Sequence, residues 1–244
     1  MKMPIPGTVD TGVLWGRDSR TGVETTPAII RAALEPWGIV RACVASLEAI
    51  LYDTDSGNAA TLALARRDPF FLPVAVLNPR DLGACARAAR ARDEGFAFAR
   101  LFPDEHGYTV DGPACLELFD ACAAGDLPVM VSLSVAGAAP VARALAGRRG
   151  RIILTGVRYT VQTDCLVLAR ANPSILVETS MLNTPDGISV FAGELGAERL
   201  VFGSNYPAIV PGCAQWVLRE SGLSGEDVGR IARGDGLFRA GGGR

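Results

Sequence analysis

The chain alternates between short apolar runs of β-forming residues and longer runs rich in Ala, Leu and Arg. This alternation restricts the fold more than any other feature. Seven β-type runs stand out: 39–45 (IVRACVA), 71–77 (FLPVAVL), 96–102 (FAFARLF), 127–133 (LPVMVSL), 151–154 (RIIL), 175–179 (ILVET) and 199–202 (RLVF). A weaker run at 8–14 makes eight. They are continuously apolar, as strands covered on both faces should be. Helical patterns fall between and after them, at 26–35, 58–67, 82–93, 113–123, 141–146, 162–171, 187–194, 212–220 and 225–233. Asp81 and Ser224 are placed to cap two of them, and Asp53 and Asp55 to serve as cap and first-turn charge of another. Strands that alternate with helices pair in parallel through right-handed crossovers. Eight such units predict a compact single-domain (β/α)8 TIM barrel over residues 1–238, with 239–244 as a fraying tail. An open doubly wound sheet is the runner-up. It usually carries a Gly-rich phosphate turn after its first strand, and no G-x-G-x-x-G or P-loop pattern occurs here.

Composition removes several classes of function. The 24 Lys and Arg nearly balance the 26 Asp and Glu, and no basic cluster offers a footprint for nucleic acid. The longest uncharged stretch, 127–142, is interrupted by Pro128 and Pro140. It is shorter than the roughly 20 apolar residues a membrane span needs. The opening MKMPIPGTVD lacks the apolar core of a secretory signal. The expectation is a soluble cytoplasmic protein with neither membrane nor nucleic acid as partner. The six cysteines are scattered without a C-x-x-C pair, which predicts buried, reduced thiols. Cys115 and Cys122 fall two helical turns apart, too far to bridge. There is one histidine, His106, so any site requiring two from this chain is excluded.

In a barrel, chemistry collects at the C-terminal ends of the strands and in the loops that follow. The densest polar segment there is RLFPDEHGY. Arg100 is a charge within an apolar strand, costly to bury alone, so it should face a polar mouth or meet a carboxylate such as Glu178. His106, in the following loop, offers a general acid or base, or else merely hydrogen-bonds the backbone. GSNYP places Asn205 and Tyr206 at the mouth, or simply makes a tight turn. Arg17, Asp18, Tyr108, Ser132 and Arg158 complete the predicted substrate-binding set.

Several segments together resemble the amidohydrolase-related (amidohydrolase type 2) TIM-barrel family. These are AVLNPRD, GFAFARLFP, LPVMVSLS, NPSILVETS, GAERLVFGSNYP and IARGDGLFRA, matched in order and spacing over most of the chain. The resemblance implies a barrel of metal-dependent hydrolases and decarboxylases. Their metal is held by His-x-His after strand one, single histidines at strands five and six, and an Asp at strand eight. This sequence departs at each position: Gly12 and Leu14, Ser132, Thr155 or Gly156, and Asn205. Glycine and leucine donate nothing, and neutral oxygens suit zinc poorly. The resemblance therefore implies the fold without the metal, and no other cofactor is indicated.

Two expectations follow. The first is a metal-independent hydrolase or lyase acting on a small, possibly anionic molecule. Arg100 would stabilise charge, His106 would move the proton, and Glu178 would join them as a catalytic group. The second is a non-catalytic barrel that pairs with an active homologue or binds a small ligand, since fold does not carry function. Self-association, or association with a homologous barrel, is compatible with either.

Overall fold

The computed structural model describes residues 4–238. Its strands are β1 (Thr8–Arg17), β2 (Glu24–Thr25), β3 (Ile39–Ser46), β4 (Phe71–Leu77), β5 (Phe98–Leu101), β6 (Val129–Ser132), β7 (Ile152–Thr155), β8 (Ile175–Glu178) and β9 (Leu200–Val201). They form one sheet in the order β2-β1-β3-β4-β5-β6-β7-β8-β9. Every neighbouring pair is parallel except β1–β2, a two-residue hairpin arm. The sheet closes on itself. The backbone N–H of Thr11 donates to the Phe202 carbonyl at 3.0 Å, and that of Leu14 to the Tyr206 carbonyl at 2.9 Å. Closure removes both free edges of the parallel sheet and makes a (β/α)8 barrel.

Each of the nine expected helices forms, with ends shifted by a few residues; Gln162–Ala171 and Gly225–Arg233 keep the expected bounds. Ser224 caps the latter by accepting from the Asp227 N–H at 3.1 Å. Asp53 caps Thr54–Arg67 in the same way, through the Ser56 N–H at 2.6 Å. Asp81 does not cap. It closes a turn with Asn78, whose side chain donates to it at 3.0 Å, and the helix begins later, at Ala84. Four short helices were not foreseen: Leu47–Leu51, Pro103–His106, Leu133–Ala136 and Asp235–Phe238. His106 therefore ends a helical turn rather than lying in a loop. That turn has Pro103 at its start, acids in its first positions and Gly107 at φ 64° as its stop.

Two apolar cores result. One lies between barrel and helices, with Leu34, Leu118, Phe202 and Leu218 fully buried in it. The other fills the barrel: Cys43, Val74, Phe98, Met130, Ile153, Leu176 and Val201, one from each of seven consecutive strands. Leu237 joins this inner core from the last helix, which is held by the Arg151 side chain donating to the Leu237 carbonyl at 3.2 Å. The lower barrel is thus packed solid, and only the opposite end can hold polar groups.

No described helix is long and apolar enough to cross a membrane. No disulfide forms among the described residues: Cys43, Cys115, Cys122 and Cys165 are buried free thiols, Cys85 is half-buried and Cys213 exposed. The tail expected at 239–244 lies outside the described residues.

Candidate active site

Side chains on a strand repeat every second residue. Two positions beyond the apolar layer, the same strands therefore present Arg100 after Phe98, Ser132 after Met130, Thr155 after Ile153 and Glu178 after Leu176. A polar layer thus lies at the C-terminal end of the barrel.

Glu178 is fully buried and densely bonded. It accepts from the Ser180 N–H at 2.7 Å, from the Ser180 hydroxyl at 2.8 Å and from the Thr155 hydroxyl. Its carboxyl lies against the Cα of Gly203, where any side chain would collide with it, so the turn after β9 needs glycine. Burial pushes the Glu178 carboxyl above its usual range, opposed by the Thr155 and Ser180 donors and by the Arg100 charge.

Arg100 is half-buried, its guanidinium 5.0 Å over the ring of Phe102. Loss of water weakens its proton affinity, while the charges of Glu178, Glu105 and Asp10 restore it. Among the described residues it makes no direct ion pair or hydrogen bond, so the expected Arg100–Glu178 pair acts across space rather than in contact.

Asp10 was missed in the sequence. It sits wholly buried where β1 meets the turn after β9. Its Oδ1 accepts from the Gly12 N–H at 3.0 Å and the Ser204 N–H at 2.9 Å, and its Oδ2 has no partner. Burial raises its pKa, opposed by Ser204, Gly12 and the Arg100 charge. The signal that could have found it is the one that exposed Arg100: a lone charge in an apolar strand.

The other predicted residues divide. Ser132 and Asn205 lie at the mouth. The Ser132 hydroxyl is 3.3 Å from that of Ser134, and Asn205 takes a left-handed φ of 56°, a conformation Asn tolerates. Tyr206 is half-buried and bridges to Val13, closing the barrel. Arg17 and Asp18 belong to the exposed hairpin, where Asp18 binds Arg20 at 3.2 Å and is held below its usual range by it. Arg158 is exposed. Tyr108 packs against the outer core with its hydroxyl buried and unpartnered, its acidity suppressed by burial.

His106 stands apart from Arg100 and Glu178. Its Nε2 lies 3.0 Å from the Ile50 carbonyl and donates to it, and Nδ1 is buried without a partner. The ring lines an open cleft of about 660 Å³ with Tyr52, Asn78, Arg80 and Asp81; neither Arg100 nor Glu178 lines it. Phe102 is what the two share: its ring lies under the Arg100 guanidinium and 6.3 Å, edge-on, from the His106 ring.

No protein-family model and no curated protein sequence matches the chain. Solved structures do. A dihydroxybenzoic acid decarboxylase from Polaromonas sp. JS666, determined with bound manganese and 2-nitroresorcinol, superposes with a TM-score of 0.76 at 13% identity, covering 96% of this chain and 97% of that one. A 2,6-dihydroxybenzoate decarboxylase from Rhizobium gives 0.74 at 15%, covering 96% and 99%. An uncharacterized TIM-barrel protein, Bb4693 from Bordetella bronchiseptica, gives 0.71 at 18%, covering 93% and 96%. At these identities the likeness establishes the barrel fold.

The residues here do not fit a manganese ion. Among the described residues no three His, Cys, Asp or Glu are grouped to hold a metal. Gly12 offers no side-chain donor, and a Cβ there would make a tight 3.2 Å approach to the Asn205 backbone nitrogen. Ser132, Thr155 and Asn205 offer neutral oxygens, which bring no negative charge to a cation.

Proposed function

We propose that the chain is an enzyme of hydrolase or lyase type that acts on a small anionic molecule without a metal ion. The observation that carries this reading is the guanidinium of Arg100, set in the polar end of the barrel beside two buried carboxyls and paired directly with neither. A cation held half-buried in the barrel end without a contact partner is costly to keep, and an anionic ligand would satisfy it. Arg100 binds the negative oxygen and stabilises charge that develops on it. Glu178 supplies the countercharge that keeps Arg100 in the barrel. Its Oε1 accepts one hydrogen bond, from the Ser180 N–H, and it is the candidate base. Ser132 and Asn205 orient the substrate. His106 lies at the edge of this arrangement, because its Nε2 is committed to Ile50 and its cleft excludes Arg100.

Small aromatic acids are the first class to test, since the structural neighbours include decarboxylases of 2,6-dihydroxybenzoate and 5-carboxyvanillate. Purified protein, checked by elemental analysis for metal content, is assayed for turnover of these acids and of simpler carboxylates, alongside Arg100→Met. Turnover by metal-free protein that Arg100→Met abolishes supports the reading. Turnover that requires stoichiometric metal, or that survives in Arg100→Met, contradicts it. Binding without turnover returns the second expectation, a non-catalytic ligand-binding barrel.

A further inference from the structure

Asp10 and Glu178 are both buried carboxyls close enough to Arg100 to feel its charge, yet their hydrogen bonding differs in kind. Glu178 receives three donors shared over both oxygens, the pattern that stabilises a delocalised anion. Asp10 receives two backbone donors, both on Oδ1, and has the Ser204 side chain near its carboxyl. Oδ2 is buried with no hydrogen-bond partner. An ionised oxygen left buried without a donor is strongly unfavourable. A neutral carboxylic acid resolves the asymmetry: Oδ1 is then its carbonyl, taking both backbone N–H groups, and Oδ2 carries the proton.

We propose that Asp10 works as a neutral carboxylic acid and that its Oδ2–H, enclosed in the ligand-free protein, is the donor that meets an oxygen of the anion that Arg100 holds. This deepens the reading given above and rests on it for the ligand, though not for the protonation state. The charges around Asp10 agree. Arg100 on β5 is the one cation acting on it; Glu178 and Glu105 act on that same guanidinium; and Cys43 on β3 is a thiol held neutral by burial. With Asp10 neutral, Glu178 is the one ionised carboxyl buried beside Arg100, and a bound anion meets the guanidinium with less opposing charge. A neutral donor tolerates the anion, whereas a second carboxylate would repel it. Desolvation, which raises Asp10, acts in the same direction.

Infrared spectroscopy of the ligand-free protein reads the protonation state directly. At neutral pH the wild-type protein should show a protonated-carboxyl stretch that Asp10→Asn removes and Glu178→Gln retains. Asparagine keeps the carbonyl for Gly12 and Ser204 and a donor at the second position, so the variant should fold. Should it not, wild-type protein carrying 13C-carboxyl aspartate gives the same answer, with one aspartate still protonated at neutral pH. The inference is overturned if the wild-type protein has no protonated carboxyl there, if the band disappears in Glu178→Gln but not in Asp10→Asn, or if every aspartate is ionised. Failure of the broader reading is separate, since it appears as undiminished turnover in Arg100→Met with the Asp10 band intact.

Discussion

Phe98 and Arg100 stand two residues apart on one face of β5, and they do opposite work. Phe98 belongs to a layer that fills the barrel from seven strands and has no access to water. Arg100 belongs to the layer above, with Ser132, Thr155 and Glu178, where polar groups meet in a restricted space. The backbone geometry of the two layers is the same; only the residue types change, and they change together on four adjacent strands. The lower layer therefore sets stability and the upper layer sets chemistry, and the short spacing lets the first hold the second rigid.

Substitutions should separate the two layers. Arg100→Met should lower turnover by about a thousandfold or more, the scale expected when a charge-stabilising donor is lost, and leave the thermal transition close to wild type. Phe98→Ala should do the reverse, with a loss of about 3–5 kcal/mol in denaturant unfolding. If either variant shows the other's phenotype, the division of labour fails.

The pH dependence of stability sharpens the comparison. Asp10 and Glu178 are both raised in the folded protein, so over the interval above the ordinary carboxylate range the folded state holds more protons than the unfolded one. Stability must then fall as pH rises through that interval, from its full value below it. Glu178→Gln should remove part of that fall, as read from unfolding midpoints across the pH series. A slope of the opposite sign would mean that these carboxyls are ionised more readily in the fold than out of it.

Smaller effects should mark the periphery. His106→Ala should reduce turnover less than tenfold, because the imidazole is tied to Ile50 and lines a cleft that Arg100 does not reach. A loss as large as that of Arg100→Met would return the proton-moving role to His106. Thiol labelling of native protein should modify the exposed Cys213 first. Cys115, Cys122 and Cys165, each pushed up to about 12 by burial, should react only on unfolding.

The barrel was legible because its strands are continuous apolar runs, and β4 spans the residues the pattern gave. The run at 8–14 looked weakest and became the longest strand, since β1 extends past its apolar part to pair with β2. Helices of four or five residues are too short to show a period, which is why Pro103–His106 read as a loop. Arg100 and Glu178 stood out as charges at strand positions. Asp10 stands out equally in VDTG, but its place in the site depends on Ser204, 194 residues away, and no local pattern encodes that contact. The separation of His106 from Arg100 depends in turn on how the Phe102 ring meets both side chains, which spacing along the chain does not reveal.

The most direct test is a crystal structure with a bromobenzoate, located by the anomalous signal of its bromine. The carboxylate should lie on the Arg100 guanidinium inside the polar end of the barrel. Density in the His106 cleft instead, with Arg100 untouched, would contradict it.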